Sequence, residues 1–194
     1  MNNVRLHSLN EIYTIMFKGV LTAKYLRKAK NAGLLDQQFI ERIMLAVTEV
    51  NGCDICSYAH TKMALESGMS ENEIKNMLAA NLEDVPSAQV MAIMFAQHYA
   101  ETNGNPSSES WQRIVDEYGD ITAYGILAAI RIIMMGNVLG IPWSAFMKRL
   151  KGNRSTHSTL KYELSVMIIG SLMVIVVIVH VFIAKIFKVK AIDL

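Results

Sequence analysis

Cys53, Cys56 and His60 follow one another at spacings of three and four residues, the separations that bring side chains to one face of an α-helix. This set suits thiol redox chemistry. The chain has only two cysteines, where a small secreted scaffold would scatter an even set of them through the sequence. Asn51 and Gly52 break one helical pattern and the next begins at about Cys53, so both thiols fall in a first helical turn. Unpaired N–H groups and the positive end of the helix dipole lie there and favour thiolate over thiol, and the thiolate is the reactive form. His60, one turn beyond Cys56, is placed to take its proton or, as imidazolium, to stabilise its thiolate. A three-residue separation also lets the two sulfurs close into a disulfide with modest adjustment. The residues alone leave the attacking sulfur open: Cys53 lies nearer the helix start, as the nucleophile does in thioredoxin-like motifs, whereas Cys56 has the imidazole beside it.

Two plainer readings compete with this one. A Cys-x-x-Cys with a following histidine could hold zinc, but a structural site needs four ligands. His7, His98, His157 and His180 supply no second compact pair, and no metal is expected. The cysteines could also be inert packing, since free cysteine behaves as a small hydrophobe; their place at a helix start argues against it.

The elements that must position these groups all read as helices. No segment alternates with period two, while Phe39, Ile43, Ala46, Val47 and Val50 recur at threes and fours. Ser8 with Glu11 and Ser70 with Glu73 have capping-box spacing, and Gly33, Gly68, Gly119 and Gly140 fall where helical patterns stop. Helices are expected near 8–31, 36–50, 54–67, 71–82, 87–102, 108–118, 121–139 and 143–150, with NGNPSS at 103–108 as a loop. The fold class is all-α, a single helical domain over 1–150.

Beyond it, KGNRSTHST from Lys151 to Thr159 is polar and reads as part of a basic linker, 151–163. Leu164 to Ala184 then runs without a formal charge, and at about 1.5 Å per residue such a helix crosses a hydrocarbon core of roughly 30 Å. A transmembrane helix over 164–184 with a short tail, 185–194, is the direct reading; a core helix buried in an oligomer is the other. Lys148, Arg149, Lys151, Arg154 and Lys161 outnumber Lys185, Lys188 and Lys190 across the span, which favours the N-terminal side inside. The first twenty residues lack the apolar run and cleavage site of a signal peptide. A catalytic domain on the cytoplasmic face of a membrane is therefore expected. His180 within the span reads as a tolerated neutral imidazole, and Met134 and Met135 as gap-filling methionines.

The run of Glu41, eleven residues, Cys53, two, Cys56, three, His60 resembles the site pattern of the AhpD-like alkylhydroperoxidases, within the wider carboxymuconolactone decarboxylase family. The likeness continues through Ala64, Gly68 and SENEI at 70–74, and more loosely through AAIRIIMMGNVLGIPWSAF at 128–146. The resemblance implies an all-helical, self-associating fold and a peroxidase cycle on organic or hydrogen peroxide, regenerated by a dithiol reductant protein or a lipoyl-type donor without a bound cofactor. It further implies that Cys56 is the peroxidatic thiol, Cys53 the resolving thiol, and Glu41 with His60 the proton relay. Position 55, a histidine in some members, is Ile55 here. The apolar C-terminal helix is an addition to the pattern.

A formal net charge of +2 with 19% charged residues gives no basis for a nucleic-acid partner. Three function classes remain: a membrane-tethered peroxidase or disulfide reductase, the lactone decarboxylation of the wider family, and a non-enzymatic redox switch or scaffold. The cysteine pair with its histidine argues for the first.

Overall fold

The computed structural model describes residues 4–153 and 157–187, so Arg154 and the tail lysines Lys188 and Lys190 lie outside the described residues. Within them the chain is all-α, and no strand occurs among them. Helix α1 (Leu9–Asn31) opens on the expected capping box: the Ser8 hydroxyl accepts from the Glu11 N–H, and the Glu11 carboxylate accepts from the Ser8 N–H. Those bonds hold the Glu11 carboxyl down at about 2. Next come α2 (Gln37–Asn51), α3 (Asp54–Glu66), α4 (Glu71–Leu78) and α5 (Ser87–Glu101). Asp36, Ser70 and Ser107 cap α2, α4 and α6 (Ser108–Leu150) through their side chains.

At Ser70 the capping box is only half made. The hydroxyl accepts from the Glu73 N–H, but the Glu73 carboxylate turns inward to Arg42 Nε at 2.6 Å. Both side chains are buried. A charge taken out of water is tolerated when it is paired and its remaining hydrogens are satisfied, and Arg42 also donates to Gln38 and Gln89. Glu73→Ala should therefore destabilise the domain by about 3 kcal/mol, the lower end of the range for breaking a buried pair, because the two glutamines still accept from Arg42. Chemical denaturation against wild type measures it.

Helix α6 (Ser108–Leu150) is broken at Gly119, where φ is 70° and ψ is 161°, so two helices meet there as the sequence predicts. The second expected break is absent. Helix α6 runs through Gly140 and carries Pro142 inside it, although that proline removes one rung of the helical ladder. The helix tolerates this because its inner face, including Ile126, Leu127, Ile130 and Met134, is buried against the rest of the core.

After Lys151 the chain turns back. Helix α7 (Leu160–Ser165), a π-helical turn (Val166–Gly170) and α8 (Ser171–Ile186) form one apolar rod. It begins inside the stretch read as linker because Thr159 caps it, accepting from the Tyr162 N–H. Arg149 grips Glu163 through two bonds of 2.9 and 2.8 Å and donates to the Ser158 carbonyl. The Glu163 side chain is completely buried. Helix α8 lies along α1, with Val177 and Val181 packing among Ile12, Met16 and Leu21. His180 meets the Tyr13 hydroxyl through Nδ1, and its ring lies 4.5 Å from that of Phe17 at a tilt of 34°.

Among the described residues, two helices are long and apolar enough to cross a membrane. The most apolar stretch of Ser108–Leu150 is 67% buried, as a core helix is, whereas that of Leu160–Ile186 is 22% buried. Leu172, Ile175, Val179, Phe182 and Ile186 are each more than half exposed.

Candidate redox site

Gly52 ends α2 in the left-handed conformation, φ 66° and ψ 40°, which glycine adopts without the Cβ penalty other residues meet. That turn delivers Cys53 as the N-cap of α3 and Cys56 within its first turn. The Cys53 side chain makes no capping hydrogen bond. First-turn N–H groups are thus not neutralised by a side-chain cap and are oriented to favour negative charge on sulfur when the pair is reduced. The two cysteines are joined as a disulfide with Cα atoms 5.3 Å apart.

His60 and Glu41 are brought together by the crossing of α3 on α2. His60 Nδ1 lies 2.7 Å from Glu41 Oε2, and the Glu41 side chain is almost wholly buried. The other carboxylate oxygen accepts from Gln37 Nε2, and Gln37 Oε1 accepts from Lys30 Nζ at 2.8 Å. A buried carboxylate needs such donors to stay in place. With Glu41 accepting at Nδ1, the imidazole keeps Nε2 for another partner. The structure thus joins Cys53 to Cys56 and His60 to Glu41, with Cys53, Cys56 and His60 spaced by three and four at the start of α3.

Three features were not legible in the sequence. Gly140 of α6 faces the sulfurs so closely that a β-carbon on it would stand 2.8 Å from Sγ of Cys53 and of Cys56. Lys148 of α6 donates to Asp54, the first residue of α3, and pins the helix start from outside. Asn51 Nδ2 donates to the Met134 sulfur, tying the turn before Cys53 to α6. The pair is also more enclosed than its helix-start position suggests: Cys53 is 1% and Cys56 9% exposed, and both join the main apolar core. Cys56 is the sulfur nearer solvent. Among the described residues no group of three or more His, Cys, Asp or Glu side chains could hold a metal ion.

Residues 19–98 match the model of the carboxymuconolactone decarboxylase family. Over that stretch the chain is similar to this family. The match spans Glu41, Cys53, Cys56 and His60 and ends before α6. Comparison with curated proteins and with solved structures gave no match. Gly140 and the apolar rod thus lie outside the matched residues, yet Gly140 borders the cysteine pair directly.

Gly140→Ala separates local helix preference from packing. Alanine should favour a helix interior by about 1 kcal/mol over glycine, but here its methyl would overlap both sulfurs. Overpacking of this kind costs about 1–3 kcal/mol. The variant is expected to be less stable than wild type when oxidised, and slower to close its disulfide. Gly136→Ala, whose β-carbon would meet nothing nearer than 3.7 Å, should be neutral or stabilising in the same denaturation experiment.

Proposed function

We propose that the chain is a thiol-dependent peroxidase that reduces hydroperoxides through Cys53 and Cys56. The observation that carries this reading is the closed Cys53–Cys56 pair at the start of the same helix whose next turn bears His60, hydrogen-bonded to buried Glu41. Cys56 thiolate attacks the distal oxygen of ROOH; an S–O bond forms, the O–O bond breaks, and the leaving alkoxide takes a proton from the His60–Glu41 relay, giving ROH and a Cys56 sulfenic acid. Cys53 thiolate then attacks the Cys56 sulfur. The S–S bond forms, the S–O bond breaks, and hydroxide leaves as water after taking a proton. An external dithiol, a reductant protein or a lipoyl-type donor, returns two electrons and two protons to the disulfide. The protein supplies no cofactor in this cycle.

The less buried cysteine, Cys56, one turn before His60, is assigned the attack, and the more enclosed Cys53 resolves; their exposures of 9% and 1% support that choice. The apolar rod supports anchoring at a membrane, with the domain on the cytoplasmic side because basic residues concentrate before the rod.

Stopped-flow mixing of reduced protein with hydrogen peroxide and with an organic hydroperoxide tests the proposal. One disulfide per chain should form with each, and peroxide consumption should continue when a dithiol is added. A single stoichiometric oxidation without turnover would leave a redox switch instead. Lactone decarboxylation that survives in a Cys53→Ser, Cys56→Ser double variant would place the activity with the reaction for which the family is named.

A further inference from the structure

We infer that the cleft between α6 and the apolar rod is the binding groove for the acyl chain of a lipid hydroperoxide. The inference rests on the peroxidase reading and adds a site and a substrate class to it. The cleft encloses about 390 Å³. Ile55 of α3 forms one side, Leu139, Gly140 and Trp143 of α6 the floor, and Met167 and Ser171 of the rod the far wall. Its only side-chain N–H and O–H groups are the Trp143 indole and the Ser171 hydroxyl, and the latter already donates to the Met167 carbonyl at 2.6 Å. A groove of that composition rewards hydrocarbon and offers little to a small polar peroxide.

Its two ends decide what occupies it. The inner end is Gly140 and Ile55: Gly140 is the residue whose β-carbon would touch both sulfurs, and Ile55 Cγ2 stands 3.0 Å from that same point. The outer end is continuous with the exposed apolar face of the rod, where Ile168, Leu172 and Ile175 are each more than 60% exposed. A contiguous exposed apolar strip favours an apolar cover, and a chain lying along it runs to Gly140 and Ile55, beside the disulfide. The wall itself is specialised. The π-helical turn Val166–Gly170 lies at the groove, a distortion frequent at functional sites, and a β-carbon at Gly170 would press Leu139 at 3.0 Å. Ile55 then serves as an apolar contact 42% exposed at the groove mouth.

The test uses the full chain in lipid nanodiscs, with Ser171→Trp and Met167→Trp filling the groove from the wall that carries no cysteine. Oxidation by a phospholipid hydroperoxide should slow about tenfold in both variants, the scale on which a filled apolar pocket discriminates, while oxidation by hydrogen peroxide keeps its wild-type rate. A diazirine-bearing fatty acid should label wild-type Trp143 or Met167 and lose that labelling in Ser171→Trp. Equal rates with both peroxides in wild type and variants, or labels falling elsewhere, would overturn the groove and leave the peroxidase standing. Cross-linking of two chains through Ile168 and Leu172 would overturn it in favour of a second copy as the cover. Inertness of the wild type toward both peroxides would remove the substrate class together with the reading beneath it. If a tryptophan variant also slows with hydrogen peroxide, its fold is disturbed, and the other variant with the labelling pattern decides.

Discussion

Cys56→Ser is expected to reduce peroxide consumption to that of protein-free buffer while leaving the helical fold intact. Serine is close to cysteine in volume, and the lost bond joins residues only three apart, so the unfolded chain gains little entropy from its removal. Cys53→Ser should behave differently. Its Cys56 can still be oxidised once, but without a resolving sulfur it stops at sulfenic acid, which dimedone traps and mass spectrometry counts. Equal loss in both variants, with no trapped adduct in either, would argue against a sulfenic acid intermediate on either sulfur. The reversed pattern, an adduct on Cys53 in Cys56→Ser, would establish it.

Glu41→Gln is expected to slow thiol oxidation about 100-fold near neutral pH, the low end of what general acid–base assistance supplies. The amide preserves shape and a hydrogen bond to His60 but removes the carboxylate that orients the imidazole through Nδ1. The pH profile separates this role from a structural one. A thiol ionises unaided above its ordinary value of about 8.5, so rates for wild type and variant should converge as pH rises through that range. A defect that persists at high pH would mean the substitution had displaced the helices rather than disabled the relay. Gln37→Ala supplies the graded control, because Gln37 touches only the carboxylate oxygen turned away from His60.

The all-α class and most helix boundaries are legible in the chain because they are set by local chemistry. Ser8, Asp36, Ser70 and Ser107 each cap the helix that starts beside them, and Gly33, Gly68 and Gly119 take positive φ where helices end or break. The same reading of Gly140 fails. Its glycine serves contact with a distant disulfide rather than a turn, and no local pattern distinguishes the two uses. For the candidate site, Cys53, Cys56 and His60 are visible through helical periodicity within one element. Glu41 belongs to the preceding helix, so only the resemblance to a known pattern points to it; the 2.7 Å contact with His60 supplies the physical link. Asp54–Lys148 and the groove depend on how α6 and the rod fold back on α3, which spacing in a linear chain does not encode. The rod itself is legible as apolar, but its packing on α1 is not, because Val177, Val181 and Ala184 differ little in character from their lipid-like neighbours on the exposed faces.

The Arg149–Glu163 clasp changes what the C-terminal helix means mechanically. A domain on a loose leash samples many heights and tilts above whatever surface holds it. Here the guanidinium fork closes on a carboxylate sealed from solvent, and the helix beyond is laid against the first helix of the domain. The pair acts as a bracket: under the proposed anchoring, the sulfurs would be held at one depth and one bearing, so that geometry governs which molecules they meet.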